Sequence, residues 1–248
     1  MSVLIVTGTG TGVGKTVVTA ALAALARARG DEVAVVKPGQ TGLASGAAGG
    51  DLDEVGRLAG VTDLHELARF PDPLSPEAAA RAAGRPPLDL RDAADYVGKL
   101  APARDLVLVE GAGGLLVRYD PAGTTLADLA AWLAAPVLVV TEPGLGTLNQ
   151  TALTLEAMAA RGLTLAGVVI GCWPERPGLA ERSNVADLQT IIGAPLAGAL
   201  PAGCPRAGPG GFLAAAGAGL APAFGGRFDP ALFGTAQAHL PDPGKADT

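Results

Sequence analysis

The sequence predicts an α/β protein built on a single doubly wound, mostly parallel sheet with helices on both faces. Short runs of Val, Ile and Leu recur along the chain, and continuous apolar runs are typical of strands buried on both faces of a parallel sheet. Helical patterns separate these runs. The first strand, helix and second strand follow one another within about 35 residues, as in a βαβ unit with its right-handed crossover.

The elements follow in order from this pattern. The first strand is predicted at 3–7, and a glycine-rich loop at 8–14 leads into a helix that stops at Gly30, a residue suited to a C-terminal cap. Further strands are predicted at 32–37, 106–109, 137–140, 168–170 and 195–200, and helices at 51–60, 76–84, 90–101, 125–134, 148–161, 183–192 and 211–221.

Neither an internal repeat nor a linker divides the chain, so we expect one domain over residues 1–226. Residues 227–248 are expected to form a flexible C-terminal tail. Ligands of open α/β sheets bind at the carboxyl ends of the strands. This rule predicts that the segments at 8–16, 37–42 and 110–114, together with the one at 141–149, share one rim of the sheet.

Composition and charge argue against nucleic acids and membranes as partners. Apolar residues make up 49% of the chain, enough for a full core. The net charge is −6 without a cluster of Lys or Arg, which argues against nucleic acid as a partner. The most apolar run, at 133–141, is interrupted by Pro136 and too short for a membrane span. With no basic leader, and with Cys172 and Cys204 lacking metal-binding spacing, we expect a cytoplasmic protein.

The segment GTGTGVGKT at 8–16 predicts a phosphate-binding P-loop, because it follows a strand and opens a helix. Its glycines let backbone N–H groups approach a triphosphate, and the helix N-terminus adds partial positive charge. Lys15 can reach the β- and γ-phosphates, and the Thr16 hydroxyl can bind magnesium. Thr9 occupies the first glycine position of the strict motif, but Gly14 followed by Lys and Thr favours a triphosphate over a dinucleotide.

Polar residues at the other strand ends are candidates for the same site. Lys37 in KPGQTG can stabilise charge during phosphoryl transfer, or it is a solvated surface lysine. Thr41 can bind a ligand or cap local backbone. Asp51 and Asp53 open a helix, where one of them can bind magnesium or both can serve as caps. Glu110 in VEGAGG ends a buried strand, where a carboxylate needs a metal or a salt bridge.

Together these motifs resemble the dethiobiotin synthetase family over about residues 1–202. The elements that carry the likeness are GTGTGVGKT, KPGQTG, the acidic helix start at 51, VEGAGG at 109–114 and GLGTLNQ at 144–150. The resemblance implies a cyclo-ligase that converts 7,8-diaminononanoate, carbon dioxide and ATP into dethiobiotin, ADP and phosphate. One amine takes up carbon dioxide as a carbamate, the carbamate attacks the γ-phosphate, and the second amine closes the ring on the mixed carbamic–phosphoric anhydride.

The resemblance also implies residue roles. The catalytic residues are Lys37 and Lys15, and Mg²⁺ is held by Thr16, Asp51 and Glu110. Nucleotide contacts fall at Thr11, Gly12, Val13, Gly14, Lys15, Thr16, Val17, Glu110, Gly111, Ala112, Gly113, Gly171, Cys172, Leu200, Pro201 and Ala202. Substrate contacts fall at Thr41, Gly111, Ala112, Gly114, Gly146, Thr147, Leu148 and Asn149. The loop at 144–149 would bind the carboxylate of the substrate in the neighbouring subunit, since the family works as a homodimer with sites at the interface.

Two positions depart from the family pattern. Gly10 and Gly12 stand where many relatives carry acidic residues, and Gly171 stands where the family places an Asn that reads adenine. The base preference therefore stays open between ATP and another nucleoside triphosphate.

Three alternatives share the phosphate loop. A partitioning-type ATPase switch usually carries an extra lysine in the loop, and residues 8–14 contain none. A cobyrinate-type amide synthetase usually adds a glutaminase domain with a reactive cysteine, for which this chain is too short. A nucleotide-binding module without catalysis would not need Lys37, Asp51 and Glu110 at the phosphate end.

Overall fold

The computed structural model describes residues 3–238 and is organised around one seven-stranded sheet. The strands are β1 (Val3–Gly8), β2 (Val33–Gln40), β3 (Leu64–Arg69), β4 (Leu106–Gly114), β5 (Val137–Thr141), β6 (Leu165–Trp173) and β7 (Gly198–Pro201). Their order across the sheet is β3-β2-β4-β1-β5-β6-β7, and every neighbouring pair is parallel. The predicted fold class is confirmed.

Helices cover both faces of this sheet. They are α1 (Lys15–Ala28), α2 (Asp51–Ala59), α3 (Pro76–Ala82), α4 (Leu90–Leu100), α5 (Leu126–Trp132), α6 (Thr147–Ala159), α7 (Leu179–Ile192), α8 (Gly208–Gly219) and α9 (Pro230–Ala238). Helices α1, α2 and α8 share a core with one face, and α4 to α7 share a core with the other. Within residues 3–238, no helix has the length and apolar character that a bilayer span requires.

Strand β1 shows why continuous apolar runs form the centre of the sheet. Leu4 and Val6 belong to the core beneath α1, whereas Ile5 belongs to the core on the opposite face. Side chains along a strand alternate between faces, so a strand covered on both sides needs apolar residues at every position. All three residues are buried.

The strand order brings the functional segments together. Strand β1 lies between β4 and β5, and in this register Val6 is opposite Glu110 and Gly8 opposite Gly114. Strand β2 lies on the other side of β4. The loop after β1, the end of β2 and the end of β4 therefore meet on one rim, as the sequence predicts.

Four strands differ from the prediction. Strand β2 was predicted to end at Lys37 but continues to Gln40. Strand β3 was not predicted, because its sequence LHELAR alternates too weakly and all six residues are only half-buried at the sheet edge. Strand β4 was predicted at 106–109 but continues past Glu110 to Gly114, so the glycines after Glu110 extend the strand. Strand β6 similarly continues past Gly171 to Trp173.

The structure also differs from the expected tail at residues 227–238. Residues 230–238 form α9, and Phe228 is buried. Phe233 packs edge to face on Trp173, with ring centroids 4.9 Å apart. These two phenylalanines give the segment an apolar contact that its overall composition hides. Residues 239–248, including His239, lie outside the described residues.

Candidate active site

The phosphate loop between β1 and α1 takes its shape from its glycines and from Lys15. Gly12 and Gly14 adopt φ of 80° and 95°, a left-handed conformation that favours glycine. The Lys15 Nζ donates a hydrogen bond to the Gly10 carbonyl at 2.8 Å. Burial, and after it repulsion from Lys37, lowers the pKa of Lys15 to about 8. A nearby anion would favour the charged form of this lysine.

Lys37 joins the two candidate magnesium carboxylates. The residue is 2% exposed, and its Nζ donates to Glu110 Oε1 at 2.9 Å and to the Gly111 carbonyl at 3.2 Å. It also forms an ion pair with Asp51. Burial alone would lower the pKa of Lys37, but Glu110 and Asp51 outweigh burial and raise it well above its ordinary value. Lys37 is therefore a buried ammonium group, and the solvated-lysine alternative is wrong.

The oxygen atoms at and around Glu110 are suitable ligands for a magnesium ion. Thr16 Oγ1 donates to Glu110 Oε1 at 2.9 Å, so the threonine reaches the same carboxylate as Lys37. The other oxygen, Glu110 Oε2, is buried without a hydrogen-bond partner in the described chain. Magnesium is usually held by one or two carboxylates together with phosphates and water. A hydroxyl and two carboxylates suffice for such a site, although residues 3–238 contain no cluster of three or more His, Cys, Asp or Glu.

Asp51 and Asp53 have different partners at the start of α2. Asp53 Oδ2 accepts from the Gly49 and Gly50 backbone N–H groups at 2.7 and 3.0 Å, so it caps the helix. The Asp51 side chain meets Lys37, whose charge lowers the pKa of Asp51 despite burial, which acts to raise it. Gln40 Oε1 accepts from the Asp51 backbone N–H at 3.0 Å and fixes this helix start. Gln40 was not predicted, although it lies in the KPGQTG motif.

A cleft of about 560 Å³ surrounds Lys37. The phosphate loop, Thr41, Asp51 and Glu110 line it, as predicted. A segment at 73–76 closes one side and was missed, because only the Ser-Pro start of α3 marks it in the sequence.

The end of β4 is held from behind by Tyr119. The Ala112 backbone N–H donates to Tyr119 Oη at 2.8 Å, so this N–H already has a partner inside the protein. Tyr119 is fully buried. Ala112 and Gly113 line the cleft, whereas Gly111 and Gly114 are not among its lining residues. A side chain at Gly111 would collide with Leu126, because its Cβ would lie 2.3 Å from Cδ2.

Gly171 packs directly against the phosphate loop. A Cβ at this position would lie 2.2 Å from the Val13 carbonyl oxygen and 3.1 Å from the Gly14 Cα. The backbone of β6 therefore occupies the space in which a side chain at 171 would begin. Cys172 is exposed, Leu200 is fully buried, and Pro201 and Ala202 are exposed.

The predicted substrate loop at 144–149 lies apart from the cleft. Thr147 is buried, and its hydroxyl pairs with Thr141 Oγ1 at 2.7 Å, so it anchors the loop to β5. Asn149 is exposed and Leu145 is 86% exposed. Gly146, Thr147, Leu148 and Asn149 are not among the residues that line the cleft around Lys37.

Comparison with known proteins identifies the family. A family model described as an AAA domain matches residues 2–203. A protein of Parafrankia sp. (strain EAN1pec) is 64% identical over 233 residues, covering 94% of this chain and 98% of that protein. One from Frankia casuarinae is 62% identical over 228 residues, covering 92% and 95%. Both are named ATP-dependent dethiobiotin synthetase BioD. The chain belongs to the dethiobiotin synthetase family.

Solved structures show which other proteins share this fold. MinD complexed with Mg-ADP from Pyrococcus horikoshii OT3 aligns with a TM-score of 0.53 at 19% identity, over 86% of this chain and 85% of that one. The MinC:MinD complex of Aquifex aeolicus aligns at 0.50 and 16%, over 81% of each chain. At these identities the likeness concerns the fold alone, so it gives no support to the partitioning-type alternative. The resemblance of this chain to dethiobiotin synthetases, by contrast, is confirmed.

Proposed function

We propose that this protein is an ATP-dependent dethiobiotin synthetase of biotin biosynthesis. It joins carbon dioxide to 7,8-diaminononanoate and closes the cyclic urea, releasing ADP and phosphate. The observation that carries the proposal is the 64% identity to a synthetase over 94% of the chain. The cluster of Lys37, Glu110, Asp51 and Thr16 supports it, because phosphoryl transfer depends mainly on positioning and charge stabilisation.

Lys37 acts in this proposal as a permanent cation. Its raised pKa keeps the side chain protonated at neutral pH, so it donates hydrogen bonds and does not act as a base. It would bind the carbamate oxygen and the γ-phosphate as negative charge passes between them. Lys15 and the loop N–H groups would hold the β- and γ-phosphates.

Magnesium is the metal that we assign to this site. Thr16, Asp51 and Glu110 would hold it, since they supply one hydroxyl and two carboxylates beside the phosphate loop. When bound, it neutralises charge on the phosphate oxygens. Because Asp51 and Glu110 pair with Lys37 in this structure, their engagement with a cation would leave Lys37 free to meet the substrate.

The organic substrate lies, in this proposal, on the Thr41 side of the cleft. The amine that takes up carbon dioxide becomes a carbamate, whose oxygen displaces ADP from the γ-phosphate. The second amine then attacks the carbamic carbon, and phosphate leaves with the former carbamate oxygen. The exposed loop at 144–149 supports a homodimer in which Asn149 binds the substrate carboxylate across the interface.

The nucleotide base would lie beyond Gly171, between the loops at 171–174 and 200–202. The relatives' names make ATP the expected nucleotide. A single synthetase domain, which with α9 extends beyond residue 226, and a cytoplasmic location belong to the same proposal.

Phosphate release tests the function. We would measure it with magnesium and bicarbonate, with and without 7,8-diaminononanoate, for ATP, CTP and GTP in parallel. Release that requires the diamine supports the synthetase, and the ranking of nucleotides gives the base preference. If phosphate release does not depend on the diamine with any nucleotide, the synthetase proposal is wrong and the protein belongs to the wider class of P-loop switches.

A further inference from the structure

Helix α9 places one polar side chain in a second cleft, separate from the cleft around Lys37. This cleft, of about 530 Å³, lies at the carboxyl ends of β6 and β7. Trp173, Pro174, Pro201 and Ala202 line it, and Gln237 enters it from α9.

Aromatic packing sets the orientation of α9. Phe233 contacts the Trp173 ring edge to face at 4.9 Å, and Phe228 contacts Phe233 at 5.2 Å between ring centroids. Gln237 follows Phe233 by four residues, so both side chains lie on the same face of the helix. The contact with Trp173 therefore directs Gln237 toward the cleft.

The side-chain oxygen of Gln237 lacks a hydrogen-bond partner. Its Oε1 is buried and accepts no hydrogen bond from any residue that the structure describes. A buried acceptor without a donor costs free energy, and folded proteins keep few of them. A rotation of the side-chain amide toward the cleft would let an N–H group of a ligand there satisfy this oxygen.

The cleft is within a nucleotide's reach of the phosphate loop. Gly171 touches Val13 and Gly14, and β6 runs on from there to Trp173. Two residues of strand span about 7 Å, which is comparable to a ribose. Phosphates held by the loop would thus bring a base to the rim formed by Trp173, Pro201 and Gln237.

We propose that Gln237 reads the nucleotide base by accepting a hydrogen bond from its exocyclic amino group. This inference rests on the proposed function only in requiring that a nucleotide binds the loop. Adenine and cytosine carry an amino group at the corresponding position, whereas hypoxanthine and uracil carry an oxygen. Gln237 would supply from the C-terminal helix the amide that Gly171 does not provide.

Matched nucleotide pairs test this directly. Calorimetry with magnesium would give the dissociation constants of ADP and IDP, and of CDP and UDP, for the full chain. We expect the wild type to bind the amino base of at least one pair about tenfold more tightly, the scale of one hydrogen bond. In Gln237→Leu this preference should disappear through weaker binding of the amino nucleotide, with IDP or UDP binding unchanged. The pair that responds identifies adenine or cytosine as the base.

Two controls separate base reading from damage to the helix. Gln237→Glu keeps an acceptor and should keep the preference, and Leu232→Ala changes a 70% exposed residue of the same helix and should bind as wild type. A Gln237→Leu protein that still discriminates within a pair, or a wild type that does not discriminate in either, overturns the proposal. Neither result depends on the diamine, so phosphate release still tests the proposed function separately.

Discussion

Lys37 and Glu110 form a buried ion pair, with 2.9 Å between Nζ and Oε1, although 73 residues separate them along the chain. Glu110 has no exposed surface, and Lys37 has almost none. The pair joins β2 to the neighbouring strand β4, and Thr16 at the end of the phosphate loop donates to the same Glu110 oxygen. The same ion pair therefore stabilises the sheet and sets the charge of the site that a ligand would meet.

Replacing Lys37 with Met should reduce both stability and turnover. It leaves the Glu110 carboxylate buried without its cation, which costs about 3–5 kcal/mol of unfolding free energy. Turnover should fall roughly 10²–10³-fold, the scale of one transition-state donor. Denaturant unfolding and diamine-dependent phosphate release measure the two effects. In the double variant Lys37→Met with Glu110→Gln, stability should partly return while turnover does not; near-normal turnover in either would remove Lys37 from the mechanism.

Nucleotide affinity should fall as pH rises above about 8. Burial of the side chain, and after it repulsion from Lys37, lowers the pKa of Lys15 to about 8. A bound triphosphate favours the charged lysine, so binding takes up a proton when the solution is above that pH. The dissociation constant should then rise toward about tenfold per pH unit.

Calorimetry in buffers of different ionisation enthalpy would detect this proton uptake. The same linkage affects stability: a lowered folded pKa means that charged Lys15 opposes folding below pH 8, and this penalty fades as pH rises from there toward about 10.4. Lys15→Arg is the control for the affinity measurement. Arginine stays charged throughout, so this variant should lose the pH dependence of nucleotide affinity. A wild-type nucleotide affinity that does not change above about pH 8 contradicts the assignment of Lys15 to the phosphates.

Gly171→Ala should displace the phosphate loop. The added Cβ would lie 2.2 Å from the Val13 carbonyl oxygen and 2.6 Å from Val140 Cγ1, so backbone has to move. We expect a loss of about 1–3 kcal/mol in unfolding free energy, as for other overpacked sites, together with weaker ADP binding.

Gly98→Ala provides the matched comparison. Gly98 lies in α4, and a Cβ there would meet no atom within 4 Å. This change should stabilise the protein by about 0.5–1 kcal/mol, because alanine is the better helix former. If both variants melt alike, the close packing of β6 on the loop is not a constraint.

Tyr119→Phe should weaken the support behind the active-site end of β4. The change removes the oxygen that accepts the Ala112 backbone N–H and leaves that donor unpaired at a cost of about 1–3 kcal/mol. Tyr96→Phe is the control, since Tyr96 is 40% exposed and water can replace its bond to His65. Equal unfolding midpoints for the two variants would argue against the Tyr119 bond as a support for the strand.

Local sequence was sufficient where the signal lies within a few neighbouring residues. The P-loop at 8–16 could be predicted from its glycines, its Lys and Thr and the flanking apolar runs. Parallel strands that are buried on both faces could likewise be predicted locally, from their continuous apolar runs. Strand β3 could not be predicted, because an edge strand has one solvated side and carries no continuous apolar run.

The sequence by itself determined the fold class, the phosphate loop and the family, since each depends on local spacing or on motif order. Only the tertiary structure decided which groups meet. The order of strands places Lys37 against Glu110, a helix cap separates the role of Asp51 from that of Asp53, and aromatic packing on Trp173 brings Gln237 from the predicted tail to the second cleft. These contacts join residues far apart along the chain. Their distances depend on how the strands and helices pack, and a local sequence pattern carries no information about that packing.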